Sequence, residues 1–94
     1  MYTAGVELDW DEANLEHIAR HHLEAWEVEE ALSDPKRIPL KVYHVAQEKR
    51  QGFIAKTETG RVLAIILTLR HKRYRVVTAR EASTNEKRLY RRSK

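Results

Sequence analysis

Apolar residues in the first third of the chain recur with a helical period, and from residue 36 onward they alternate. Leu15, Ile18, Ala19 and His22 fall at i, i+3, i+4 and i+7, which places them on one stripe of a helix running through about His21. Asp9 or Asp11 caps that helix, and Glu12 and Glu16 occupy the early turns, where the helix dipole favours anions. In a second amphipathic pattern over residues 26–32, Val28, Ala31 and Leu32 point inward while Glu27, Glu29 and Glu30 point to solvent. Asp34-Pro35 ends it, because the residue before a proline is pushed out of the helical region. Upstream, Val6-Glu7-Leu8 has the pattern of a short extra strand.

From Lys36 the period becomes two. Ile38, Leu40, Val42 and His44 alternate with Pro39, Lys41 and Tyr43, a half-buried strand. Pro39 removes a ladder donor, which places this strand at a sheet edge or bulges it near its start. Residues 47–50 form a polar connection, residues 52–56 return as the next strand, and residues 57–60 make a turn in which Gly60 supplies a positive φ. Residues 62–69 are eight in a row without a charge, as expected for a central strand covered on both faces. A turn at residues 71–73 leads to a last strand containing Val76 and Val77, which exits at Arg80 and Glu81. Ser83 followed by Glu86 is a capping-box start for a C-terminal helix. The expected fold is α+β: two N-terminal helices packed on a four-stranded antiparallel meander, with the C-terminal helix on or beside the other face.

Composition narrows the function. Ninety-four residues make one domain. There are no cysteines, which removes disulfides and thiolate metal sites. No segment reaches the apolar length of a membrane span and the N-terminus lacks a basic leader, so a cytoplasmic location is expected. The net charge of +4 hides a division at Asp34-Pro35: one basic residue and ten acids before it (1 − 10 = −9), 17 basic residues and four acids after it (17 − 4 = +13). A polyanion is repelled by the first part and drawn to the second. His17 and His21 have the i, i+4 spacing of two metal ligands, but residue 18 is isoleucine rather than a metalloprotease glutamate and no third ligand stands out, so no metal is assigned.

The C-terminal part carries His44, Lys49, Arg50, Arg70, His71, Arg80, Glu81, Lys87, Arg88 and Tyr90. In a meander the turns and strand ends at one end share a rim, and these groups are expected to converge there. RNA cleavage without a metal or other cofactor needs a base for the 2′-hydroxyl, an acid for the leaving oxygen, and cations for the crowded phosphate. Arg80 fits the cation; His44 or Glu81 fits the base; Tyr90 or His71 fits the acid. Lys49, Arg50, Arg70, Lys87 and Arg88 fit RNA binding. Each also has a plain structural role, Arg80 as the partner of an acid and Tyr90 as a helix anchor among them.

Taken in order, residues 8–14 (Leu-Asp-Trp-Asp-Glu-Ala-Asn), 16–21 (Glu-His-Ile-Ala-Arg-His), 29–35 (Glu-Glu-Ala-Leu-Ser-Asp-Pro), 75–82 (Arg-Val-Val-Thr-Ala-Arg-Glu-Ala) and 86–91 (Glu-Lys-Arg-Leu-Tyr-Arg) resemble the BrnT family of type II toxins. The resemblance implies a RelE-like fold and a ribonuclease that inhibits translation when freed from a cognate ribbon-helix-helix antitoxin, as a homodimer or a toxin–antitoxin heterotetramer. It maps the family's Ala-Arg strand exit to Ala79-Arg80, its helix-borne Glu, Arg and Tyr to Glu86, Arg88 and Tyr90, and its basic-His pair to Arg20-His21. The chain departs from the pattern at His22, where a helix-ending glycine is usual, and at Glu24, where serine or threonine commonly caps the next helix. The alternative is a non-catalytic module that binds RNA or an antitoxin within a DNA-binding co-repressor complex.

Overall fold

A computed structural model describes residues 8–93 of the chain. Its elements are α1 (Glu12–Ala19), α2 (Ala25–Leu32), β1 (Ile38–Val45), β2 (Glu48–Lys56), β3 (Val62–Arg70), β4 (Arg73–Glu81) and α3 (Thr84–Arg92). The strands pair antiparallel in the order β1-β2-β3-β4, giving the expected α+β class. Of the anticipated extra strand, residues 6 and 7 lie outside the described residues. Leu8 bridges Tyr74 in parallel, and the Asp9 N–H donates to the Tyr74 carbonyl at 2.7 Å, so this segment runs along the edge of β4.

Side-chain alternation divides the sheet into two faces. Leu63, Ile65 and Leu67 of β3 join Ala55, Val76 and Ala79 against Ile18, Leu23, Val28, Ala31 and Leu32 from the N-terminal helical region. On the other face Ile54, Ile38, Leu40 and Val62 pack against Ala82, Leu89 and Tyr90, so α3 covers one end of it. Gly52 belongs here too, since a Cβ at that position would meet the Leu40 Cβ at 3.3 Å.

The helix ends follow local chemistry. Asp11 caps α1 and forms a reciprocal pair with Asn14, while Ser83 and Glu86 do the same for α3. After α1 the Leu23 N–H returns to the Ile18 carbonyl and the His22 N–H to the Ala19 carbonyl, the two bonds of a Schellman stop. His22 takes φ 61° to do this, the left-handed conformation a glycine adopts freely. The missing glycine therefore leaves the geometry intact and adds strain. At the start of α2 the Glu27 carboxylate accepts the Glu24 N–H at 3.0 Å and the Arg61 guanidinium at 2.8 Å.

Several expectations need correction, and Glu27 is one: expected to point to solvent, it is buried, with its carboxylate taken by Arg61. Only Ile18 of the predicted α1 stripe is buried; Leu15 is 39% exposed, because α1 lies along the β4 edge. The alternation in β1 breaks: its register shifts between Pro39 and Val42, so Ile38 and Leu40 face α3 whereas Val42 and His44 face the opposite way. The strand is both an edge and bulged. Residues 48–50 belong to β2, because Ala46 and Gln47, with φ 48° and 70°, close a two-residue hairpin. In β4, the partners of Ile66 and Leu67 are Thr78 and Val76, so Val77 is the extra residue of a bulge.

Candidate nucleic-acid interface

The face that α3 leaves open is built by register. Val62, Ala64, Ile66, Thr68 and Arg70 share it along β3, and their partners bring Arg50 from β2 and Arg75, Thr78 and Arg80 from β4. Strict alternation would send Arg75 to the opposite side from Thr78. The bulge at Val77 re-aims it, so Arg75, Thr78 and Arg80 all look out of one face. Beside Arg75 an open hollow of about 250 Å³ is lined by His17, Glu48, Arg50, Thr68, Arg70 and Arg75, among others.

Four arginines on this face, Arg50, Arg70, Arg75 and Arg80, each rest against a carboxylate, while Arg73, opposite Arg70 at the hairpin end, is exposed. Glu48 takes Arg70 and also Arg50 at 3.2 Å, and the Arg70 hydrogen bond holds its carboxyl below the usual range despite desolvation. Arg75 reaches Asp11 at 2.6 Å and Asp9 at 3.3 Å, tying the cap of α1 to β4. Arg80 grips Glu86 with two hydrogen bonds of 2.8 and 3.0 Å, which pull the Glu86 carboxyl down to about 2 against the opposing effect of its burial. These pairs keep part of their area in water, so an incoming phosphate can compete for the guanidinium donors.

His17 enters the same face from α1. Its Nε2 lies 3.0 Å from the Thr78 hydroxyl, and its ring is half-buried. Its neighbour on the helix, His21, is exposed, with ring centroids 5.9 Å apart. No group of three or more histidine, aspartate or glutamate side chains is placed to hold a metal ion among the described residues.

The predicted residues do not converge on one rim. Arg80 pairs with Ala64, and Arg70 lies six residues further along β3, roughly 20 Å away by strand rise. Arg50, Arg70 and Arg80 nevertheless share the open face. Lys49 and His44 do not: they are cross-strand partners on the helix side, where Lys49 lines a separate hollow of about 340 Å³ with Arg37, Phe53, Leu69 and Tyr74. His71 sits at the β3–β4 hairpin tip with φ 53°. Glu81 is exposed at the end of β4, where Lys87 of α3 reaches it at 2.8 Å. Arg88 turns to the outside of α3 beside Asn85, Arg91 and Arg92.

Tyr90, expected as an acid, is 3% exposed and donates its hydroxyl to Asp34 at 2.6 Å. Burial, with the Asp34 charge, pushes its phenol up to about 12, and α3 is anchored through it. Asp34 also accepts the Lys36 and Lys56 N–H groups; the Tyr90 hydroxyl first, and then these two bonds, outweigh its own desolvation and keep its carboxyl low. Sequence reading missed Arg75, Thr78 and His17 as members of the face. Only the Thr78–Arg80 spacing was available to signal one, because the bulge and the approach of α1 depend on partner strands.

A four-stranded sheet with arginines from three strands on its open face, carried by a chain basic after residue 34, defines a small α+β protein suited to a phosphate-rich ligand. Residues 10–86 match the model of a family described as ribonuclease toxin, BrnT, of type II toxin-antitoxin system, and the chain belongs to that family. Membership implies an RNA substrate and an antitoxin partner. A search of curated proteins returned no match. No helix among the described residues is long and apolar enough to cross a membrane.

Proposed function

We propose that the protein is a metal-independent endoribonuclease that binds RNA across the open sheet face and inhibits translation in the cytoplasm until a ribbon-helix-helix antitoxin captures it. The observation that carries this reading is the set Arg50, Arg70, Arg75 and Arg80, projected from β2, β3 and β4 onto one face by the register and the β4 bulge. Arg80 and Arg75 stabilise charge on the phosphate under attack; Arg50 and Arg70 hold the neighbouring backbone. Lys87 and Arg88 extend the cationic surface over α3. Inducible expression with growth and RNA integrity followed together tests it: the wild type slows growth and fragments RNA, and Arg80→Ala abolishes both while remaining folded. Growth at the uninduced rate with intact RNA overturns the reading.

A non-catalytic module is the second reading, favoured by the carboxylate partners that hold Arg50, Arg70, Arg75 and Arg80. RNA binding that falls steeply with salt, without cleavage, supports that alternative.

A further inference from the structure

Building on the ribonuclease reading, we infer that His17 is the catalytic residue that moves the proton at the scissile phosphate, in the hollow between α1 and the open sheet face. The carboxylates bordering this face are committed to arginines: Glu48 to Arg50 and Arg70, Asp9 and Asp11 to Arg75, Glu86 to Arg80. A carboxylate held this way is a weakened base. Tyr90 is buried and bonded to Asp34, Lys49 and His44 face the other side, and His71 stands on the hairpin tip. His17 remains as the imidazole lining the hollow, among Arg50, Arg70 and Arg75.

Its setting suits proton transfer. Thr78 is neutral and holds Nε2 at 3.0 Å, which fixes the ring; with Nε2–H donating to the hydroxyl, the lone pair of Nδ1 is left for a substrate. No hydrogen bond engages Nδ1 among the described residues. The same bulge that turns Arg75 outward brings it onto the Thr78 side of β4, so the ring's anchor and a phosphate-binding cation come from one irregularity. The imidazole takes the 2′-hydroxyl proton, the O2′–P bond forms as the P–O5′ bond breaks, and the departing 5′-oxygen takes a proton from water. The imidazolium then returns its proton to the hydroxide so formed. The products are a 2′,3′-cyclic phosphate and a 5′-hydroxyl end.

The test is cleavage of a short end-labelled RNA by the whole purified chain, with binding and circular dichroism measured on the same samples. His17→Ala is expected to keep its fold and its RNA affinity within about twofold, to lose about 10²–10⁴-fold in cleavage, and to regain part of it with free imidazole. His17→Gln, whose amide can keep the bond to Thr78, is the second variant and shows the same loss. Thr78 acts as a positioning residue: Thr78→Val lowers the cleavage rate without weakening binding, and Thr78→Ser restores it. Variants at His17 that cleave within threefold of wild type, a loss that tracks weakened binding, or no response to imidazole overturns the assignment. A wild type that leaves RNA intact overturns the ribonuclease reading itself, which separates the two failures.

Discussion

His22 is a residue whose conformation conflicts with its side chain. It sits at φ 61° to complete the stop after α1, a position that costs a residue with a Cβ about 1 kcal/mol relative to glycine. His22→Gly should therefore raise stability by about that amount, read as a higher denaturant midpoint with an unchanged slope. Tyr90 gives the opposite sign. Its hydroxyl bond to the Asp34 carboxylate is worth about 1.5–3 kcal/mol, so Tyr90→Phe should lower the midpoint while leaving α3 in place. Glu86 sets an acid limit: its carboxyl is near 2 when folded and near 4.5 as a free side chain, so the folded state favours the ionised form. That stabilisation is present above about pH 4.5 and disappears as the pH falls toward 2. Glu86→Gln should flatten the pH dependence of unfolding in this window. The caps at Asp11, Ser83 and Glu86 were legible because they depend on neighbours three residues away; the Tyr90–Asp34 bond spans 56 positions and was not.

At the scale of elements, periodicity located the helices and strands but not their irregularities. Gly60 declares its turn with φ 98°, as expected. The turn expected at residues 71–73 is also found, as a two-residue hairpin at His71-Lys72, whereas Ala46-Gln47, which closes a hairpin of the same kind with positive φ at both positions, carries no such signal. Replacing Ala46-Gln47 by Asn-Gly should stabilise the β1–β2 hairpin by roughly 1 kcal/mol, measurable as a higher melting temperature. The bulges matter more. A period-two slip leaves no mark on composition, and it moved Val42 and His44 in β1 and Arg75 in β4 to faces that alternation does not predict. The α1 stripe failed for a related reason: a helix laid along a sheet edge buries one narrow side, so Leu15 stays partly in water.

For the whole molecule, charge was readable from the start and its geometry was not. Among the cations after residue 34, Arg50, Arg70, Arg75 and Arg80 lie on the open sheet face and Arg88, Arg91 and Arg92 on the outer side of α3, while Lys49 lies across the sheet. If RNA lies on the sheet face, Arg75→Ala should lower the slope of log affinity against log salt by about 0.7, the value for one lost single-strand phosphate contact. Lys49→Ala should leave that slope unchanged. The account as a whole stands on cleavage by the isolated chain. Purified protein incubated with labelled RNA in a metal chelator is predicted to generate 5′-hydroxyl fragments, and Arg80→Ala to generate none. Intact RNA with the wild type, or fragments that vanish on chelation, would contradict it.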